Sequence, residues 1–347
     1  MDLHKAEDYE VKPTMEEIKC NHIADLKTQA KYGVRFIQYW INEAAGLVFC
    51  LMEAPDKESC IATHQEAHGN MPCNVIEVKG GDYRIFMGEG RVNEFDIAED
   101  SDGRLDPGRR SFLAADVISL SGHSSAFDRL QETSHRFSGR LVSVGNGRIK
   151  FVFNDASNAI ECAVAIQRQR EKIEGDGLEI RTAISTGEPV SSDQKIFEDV
   201  MNLADWLCDI CADCQITISS QTIYSHIGRL PEPGGRLTFK LLKPADEIFL
   251  RDIMAALKPI VATGPVGMDK LSTAVGASKA QVYRKLTRLT GYSPNAFIHE
   301  LRLRNSLQLV RREFGNVAQI AFASGFNSPS YFTKSFKKRF GKSPAQL

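Results

Sequence analysis

The residues of this chain best suited to chemistry are histidines at helical spacing. Cys60, His64 and His68 fall four apart, so His64 and His68 are neighbours on one helix face. Their Cβ atoms would lie roughly 6 Å apart, a spacing that lets two imidazoles hold one ion. In an earlier segment Ile18, His22 and Leu26 also fall four apart, which puts His22 in an apolar stripe. Cys50 and His4 lie on segments that read as strands and could converge on the same place. Each histidine alone suits a packed core or surface position. The set of His22, His64 and His68, with Cys50 and His4 as further donors, suits a divalent ion.

The elements that would carry these residues read as strand, helix, strand, strand, helix, strand over residues 1–79. Thr14 and Glu17 form a capping box ahead of a helix that Gly33 follows. Asn42-Glu43-Ala44-Ala45-Gly46 separates the runs Val34–Ile41 and Leu47–Met52 as a turn, Pro55-Asp56 opens a second helix reaching His68, and Cys73–Val78 reads as a last strand. That order gives a ferredoxin-like α+β layer of helices on one antiparallel sheet. Residues 81–110 carry glycines, Pro107 and many charges with little periodicity, and read as a linker. An α+β domain is expected over 111–243, with a hairpin through Gly145-Asn146-Gly147, and an all-α domain over 244–347.

The chain of 347 residues has a net charge of -1 that hides an asymmetry. Residues 251–347 carry 16 Lys+Arg against 4 Asp+Glu, whereas residues 1–250 carry 27 against 40. A basic terminal module on an acidic body suits a partner rich in phosphate. The apolar share of 42% excludes wholesale disorder. No apolar run is long enough to span a membrane, the charged start argues against a signal peptide, and eight cysteines without a paired framework fit a reducing cytoplasm.

The basic end repeats itself. Leu271, Ala274 and Gly276 recur as Ile320, Ala323 and Gly325; Ser278, Val282, Leu286, Gly291 and Ser293-Pro294 recur as Ser328, Phe332, Phe336, Gly341 and Ser343-Pro344. Each copy reads as a short helix, a Gly-containing turn, a Ser cap and a second helix, which is a helix-turn-helix pattern. With Val282, Leu286 and Leu289 turned to a core, the opposite face presents Lys279, Ala280, Gln281, Arg284 and Arg288; the second copy presents Ser330, Tyr331, Lys334 and Lys338. Two such units on one helix can enter successive major grooves of double-stranded DNA, roughly 34 Å apart. Arg284 suits bidentate contact to a guanine edge, whereas the lysines suit phosphates.

From about Arg251 to Leu347 the sequence closely resembles the DNA-binding domain of the AraC family of bacterial transcription regulators. Tyr283-Arg284-Lys285-Leu286, Gly291-Tyr292-Ser293-Pro294, Ser328-Pro329-Ser330-Tyr331-Phe332 and Phe336–Gly341 carry that resemblance. It implies a sequence-specific regulator whose upstream domains sense a signal. Residues 1–79 are similar to a family of small ferredoxin-like nickel-binding proteins, through Asp2-Leu3-His4, His22, Lys31-Tyr32-Gly33-Val34, Glu53-Ala54-Pro55 and His64-Gln65-Glu66-Ala67-His68-Gly69. That similarity implies a homodimer and favours nickel as the bound ion; imidazole spacing alone also suits zinc and copper.

The middle segment resembles a class III nucleotide cyclase domain in Phe112–Val117, Val144-Gly145-Asn146-Gly147, Ser185-Thr186-Gly187-Glu188 and Asn202-Leu203-Ala204. Such enzymes hold two metal ions with paired aspartates. Asp116 matches the first, but Asn146 stands at the second; Ser143 replaces a purine-recognising Lys, and Trp206 replaces the Arg that steadies the transition state. The resemblance therefore implies a degenerate domain with a structural or dimerising role; the alternatives are a domain through which a nucleotide or small molecule is sensed, and an active nucleotidyl cyclase fused to a DNA-binding domain. Cys208, Cys211 and Cys214 form C-x2-C-x2-C without a nearby fourth Cys or a following Pro, and two of them fall on an expected helix, so an iron–sulfur cluster is the weaker reading.

Overall fold

The computed structural model describes every residue except 9–12, 80–81, 89, 121–123, 171–177, 191–194, 233, 259–260 and 262–266. The chain forms two compact units, residues 1–111 with 186–201 and residues 112–185 with 202–347.

The first unit opens with β1 (Asp2–Lys5), α1 (Met15–Thr28), β2 (Arg35–Asn42), β3 (Leu47–Glu53), α2 (Lys57–Ala67) and β4 (Asn74–Val75). The strands pair antiparallel in the order β2-β3-β1-β4. Thr14 caps α1 through the capping box with Glu17, and the Asp56 carboxylate accepts from Ser59 N at the start of α2. These caps satisfy backbone N–H groups that have no partner within the helix. Neither helix has a broad apolar stripe. Each buries instead a few polar side chains, His22 and Asp25 on α1 and Thr63 and His64 on α2. That pattern marks the helix–sheet layer as a site as well as a core.

Residues 81–110, expected as a linker, are instead packed within this unit. They form α3 (Asp82–Met87) and the small hairpin β5 (Arg91–Val92) with β6 (Ala98–Glu99), and Met87, Ile97 and Ala98 are buried. The anchor is a buried ion pair. Arg110 Nη2 lies 2.6 Å from Asp106 Oδ2 and 3.0 Å from Met87 O, while its Nε donates to Phe86 O at 3.1 Å. A guanidinium so fully hydrogen-bonded can be buried without leaving an unpaired donor. Gly108 closes the turn at φ 73, where a Cβ would press on Trp40 and Phe49 at 3.1–3.3 Å.

The second unit is built on β7 (Arg110–Ile118), α4 (Ser124–Arg136), β8 (Arg140–Gly145), β9 (Arg148–Phe153), α5 (Ala156–Gln169), β10 (Glu179–Gly187), α6 (Glu198–Asp209), β11 (Gln215–Ile218), α7 (Ser220–Ser225) and β12 (Thr238–Leu241). The sheet order is β12-β11-β10-β7-β9-β8, with β10, β11 and β12 parallel and β8–β9 an antiparallel hairpin. Asn146 and Gly147, both at positive φ, make the hairpin turn. Every residue of β7 is buried, as expected for a central strand covered on both faces.

The rest is helical: α8 (Pro244–Leu257), α9 (Met268–Ala274), α10 (Lys279–Thr290), α11 (Pro294–Arg311), α12 (Val317–Ala323) and α13 (Pro329–Phe340). Ser278, Ser293, Asn316 and Ser328 each cap the next helix with a side-chain oxygen, and Gly291 and Gly341 end α10 and α13 in the left-handed conformation. Phe332, Phe336 and Phe340 of α13 pack with Leu303 and Leu307 of α11, Ile320 of α12 and Ile118 of β7. This core fixes which face of α13 is left to solvent.

Candidate metal centre and nucleic-acid interface

His64 and His68 meet as their spacing requires, with His64 Nδ1 3.3 Å from His68 Nε2. Two carboxylates that the sequence reading missed complete the cluster. His64 Nε2 lies 2.8 Å from Asp2 Oδ2 and its Nδ1 3.0 Å from Asp25 Oδ1, while His68 Nε2 is 3.2 Å from the same Asp25 oxygen. His4 approaches from β1, its Nε2 3.6 Å from Asp2 Oδ2, and its ring packs edge-on to His64 at 4.7 Å. Cys50 stands opposite Asp2 in the strand register and donates its N–H to Asp2 Oδ1 at 3.0 Å. Asp2, His4, Cys50 and His64 offer donor atoms all within 4.8 Å of one another, and so do Asp25, His64 and His68. His22 is set apart: its Nε2 lies 3.3 Å from Asp96 Oδ2, although it lines the same cavity of about 240 Å³ as the other histidines.

The electrostatics are those of a buried charge cluster. Burial alone would lower the His64 imidazolium, but hydrogen bonds to Asp2 and Asp25 outweigh it and push it up to about 10. Burial would likewise raise Asp2, yet His4 and His64 hold it well below the usual carboxylate range. Asp25 is lowered by His64 and His68 against the same penalty. Burial lowers His22, and burial with the Asp2 charge keeps the Cys50 thiol far above its ordinary range.

This donor set fits a divalent ion. Imidazoles backed by carboxylates are the arrangement that orients metal-ligating histidines, and imidazole, carboxylate and thiol together suit nickel, zinc or copper. Both ring nitrogens of His4 are buried without a hydrogen-bond partner among the described residues. Among the described residues the cavity lining includes no Lys or Arg.

On the helical end, Lys279, Ala280, Gln281, Arg284 and Arg288 of α10 are exposed while Val282, Leu286 and Leu289 are buried. Ser330, Tyr331, Lys334 and Lys338 of α13 are exposed above the buried phenylalanines. Three of these groups are engaged: Arg288 Nη2 lies 2.6 Å from Asp246 Oδ1 of α8, Lys279 Nζ 2.5 Å from Asp269, and Gln281 Oε1 accepts from Ser278 N at 2.9 Å. Gln281 and Arg284 face an open cleft shared with Ile248 and Asp252 of α8.

The residues matched to the cyclase pattern also come together. Asp116, Ser143, Asn146, Asn202 and Trp206 line one cavity of about 540 Å³. Asp116 is not free there, because Arg148 Nε lies 2.6 Å from its Oδ1 and Arg304 Nη2 2.8 Å from its Oδ2. Arg148 and Arg304 also hold Asp209 Oδ1, at 2.8 and 2.5 Å. Cys208 and Cys211 are buried with their thiols donating to the carbonyls of Arg181 and Gln215, and Cys214 Sγ lies 2.6 Å from Arg170 Nη1. Among the described residues the three cysteines belong to no cluster of metal donors.

Comparison with known proteins separates the two ends of the chain. Residues 271–347 match the family described as helix-turn-helix domain, and residues 1–78 match the nickel responsive protein SCO4226-like family. The chain is 34% identical over 79 residues to the HTH-type transcriptional regulator MtrA of Neisseria gonorrhoeae, covering 23% of this chain and 26% of that protein. It is 33% identical over 101 residues to histidine kinase P4 of Formosa agariphila, covering 29% of this chain and 7% of the kinase. These curated relatives are therefore matched over about a quarter of their length or less. Among solved structures, an AraC-type transcriptional regulator from Chromobacterium violaceum is similar at 24% identity and TM-score 0.28, over 30% of this chain and 92% of that one. The adenylyl cyclase CyaB of P. aeruginosa is similar at 18% identity and TM-score 0.28, over 33% of this chain and 79% of that one. The chain thus carries a match to helix-turn-helix domains over residues 271–347 and a match to the SCO4226-like family over residues 1–78. No helix among the described residues is long and apolar enough to cross a membrane.

Proposed function

We propose that the chain is a sequence-specific DNA-binding transcription regulator that responds to a divalent metal ion, nickel favoured, held in the first domain. The observation that carries the reading is the pair of helices α10 and α13, each with a polar and basic outer face over a buried apolar one, in a segment that matches helix-turn-helix domains. In this reading the domains are a ferredoxin-like sensor at 1–80, a degenerate cyclase-like domain at 111–243 and a DNA-binding domain with two helix-turn-helix units at 244–347. Residues 81–110 go with the sensor, in whose compact unit they pack. Arg284 reads a base edge, while Lys334 and Lys338 take phosphates. The dimer brings two such domains to DNA.

His64, His68 and His4 would hold the ion once a ring nitrogen of each has given up the contact it now makes, with Asp2 and Asp25 steadying the rings and His22 and Cys50 beside them. Bound there, the ion would supply positive charge between these donors and the two carboxylates. It alters DNA binding only so far as its affinity differs between two states of the protein.

The middle domain carries no assigned catalysis. Asp116 is neutralised by two guanidinium groups and Asn146 is uncharged, so these two positions do not supply a pair of free carboxylates for two metal ions. The experiment is selection of DNA sites by the purified chain from a random-sequence pool, followed by binding to the selected site with and without nickel. A selected motif whose affinity shifts with nickel supports the reading; absence of any enriched motif overturns it.

A further inference from the structure

The cavity beside the histidines is larger than an ion requires. It measures about 240 Å³, whereas one water molecule needs about 10–15 Å³ on that scale. His4, Asp25, His64 and His68 are among its lining residues, and Asp2 lies behind His4 and His64 at 3.6 and 2.8 Å. Met15, Ile18, Ile41, Leu47 and Val48 give it apolar walls. Tyr39 contributes a polar group of a different kind. It is 1% exposed, lies against the His22 ring at 4.3 Å, and its phenol oxygen has no hydrogen-bond partner among the described residues. A buried hydroxyl left unpaired costs about 1–3 kcal/mol, so a hydroxyl facing a roomy cavity is suited to a ligand that accepts from it.

We propose that this pocket takes the metal ion together with a small organic chelator of amino-acid size carrying a carboxylate. The proposal rests on the metal reading above and names what else the site holds. The chain's imidazoles would supply some of the ion's donors and the chelator the rest. The Tyr39 O–H donates to the chelator's carboxylate, and the apolar walls cover its carbon skeleton. An apolar cavity smaller than this one can hold a benzene ring, so the space suffices for a compact molecule. The chemistry of such a partner is an amine or imidazole nitrogen and a carboxylate on one short carbon chain, as in a free α-amino acid.

The test uses the full-length chain, nickel chloride and free L-histidine as the probe chelator, in calorimetry and native mass spectrometry. The expected result is an adduct of one nickel and one histidine per chain. Nickel affinity should rise about tenfold when one equivalent of histidine is present, which corresponds to about 1.4 kcal/mol. Tyr39→Phe is expected to shrink that gain, read as the ratio of the two affinities measured on the same variant. If histidine merely draws nickel away and no ternary adduct forms, the pocket takes a bare ion and the chelator proposal falls alone. If nickel binds in neither form, the metal reading falls and takes the chelator with it.

Discussion

Arg304 of α11 reaches Asp116 of β7, its Nη2 2.8 Å from Asp116 Oδ2, across 188 positions of sequence. The same guanidinium lies 2.5 Å from Asp209 Oδ1, and Arg148 holds both carboxylates from the other side. A residue of the helical end therefore neutralises the aspartate of the central strand β7. A second clasp lies at the far end of α13, where Arg339 pairs with Glu179 of β10 at 2.8 Å and with Glu300 of α11 at 2.9 Å. Arg339 is only partly exposed, whereas Lys334 and Lys338 of the same helix are exposed. The clasp fixes α13 without covering its outer face.

Breaking the first clasp from the carboxylate side is expected to be costly. Asp116→Ala leaves two buried guanidinium groups short of a partner, and removing one member of a buried ion pair costs about 3–5 kcal/mol. Urea unfolding followed by circular dichroism should show that loss. An unchanged midpoint would mean that the arginines find water instead.

Asp116 also predicts a pH dependence. Burial opposes its ionisation, but Arg148 and Arg304 outweigh burial and bring it to about 2, below an unfolded value near ~3.9. A depressed carboxylate stabilises the fold above its unfolded value, and that contribution is lost as pH falls from about 4 towards 2. Glu179 and Glu300 are lowered by Arg339 in the same sense, so their contributions fade in the same direction. Thermal melts of the native chain and of Asp116→Asn between pH 5 and pH 3 should converge as the pH drops. Parallel curves would remove this linkage.

Much of this was legible in the sequence where the signal is periodic. The i, i+4 spacing found His64 and His68, and the repeat with its Ser and Gly caps found α10 and α13 with their outer faces. Asp2 and Asp25 left a signal that went unread: Asp2 is two residues from His4, hence on the same strand face, and Asp25 is three from His22 on α1. The Arg110–Asp106 pair left little, since four residues apart in a turn looks like any charged loop, and 81–110 reads as a linker for that reason. Nothing local foretells Arg304 on Asp116. A pairing over such a separation is set by how helices and sheet pack, and spacing along one element does not contain it.

DNA recognition should divide between the two outer faces. Arg284→Ala is expected to weaken binding to the selected site by about 1–3 kcal/mol and to relax preference at one base pair. Lys338→Ala should weaken all sequences alike and lower the salt slope by about 1. Fluorescence anisotropy at several salt concentrations on matched and mutated sites separates the two outcomes. Equal loss on every site for both variants would assign Arg284 to phosphate.

The middle domain is expected to stay silent with ATP or GTP and Mn2+. Asn146→Asp with Trp206→Arg restores two missing groups, yet Arg304 still sits on Asp116, so turnover is not expected from that pair of changes. Chromatographic assay for cyclic nucleotide on both proteins is decisive. Product from the unaltered chain would make the domain an enzyme.

The sensor prediction turns on the two histidines of α2. Replacing both, His64→Ala with His68→Ala, removes the pair that meets at 3.3 Å and leaves Asp2 and Asp25 without their closest partners. Two buried carboxylates would then lack compensation, so the fold of the first unit must be checked by its melt before binding is read. His64→Gln is the milder companion, because its amide can still donate to Asp2. Either variant should lose nickel binding in calorimetry and the nickel-dependent change in DNA affinity, while the DNA affinity of the metal-free protein stays within about twofold of the native chain, since residues 271–347 are untouched. Protons compete with metal for imidazole nitrogens, so native affinity is also expected to fall as pH drops through roughly 6.5. Native-like nickel stoichiometry in the double variant would move the ion away from α2 and leave His4 and Cys50 to hold it.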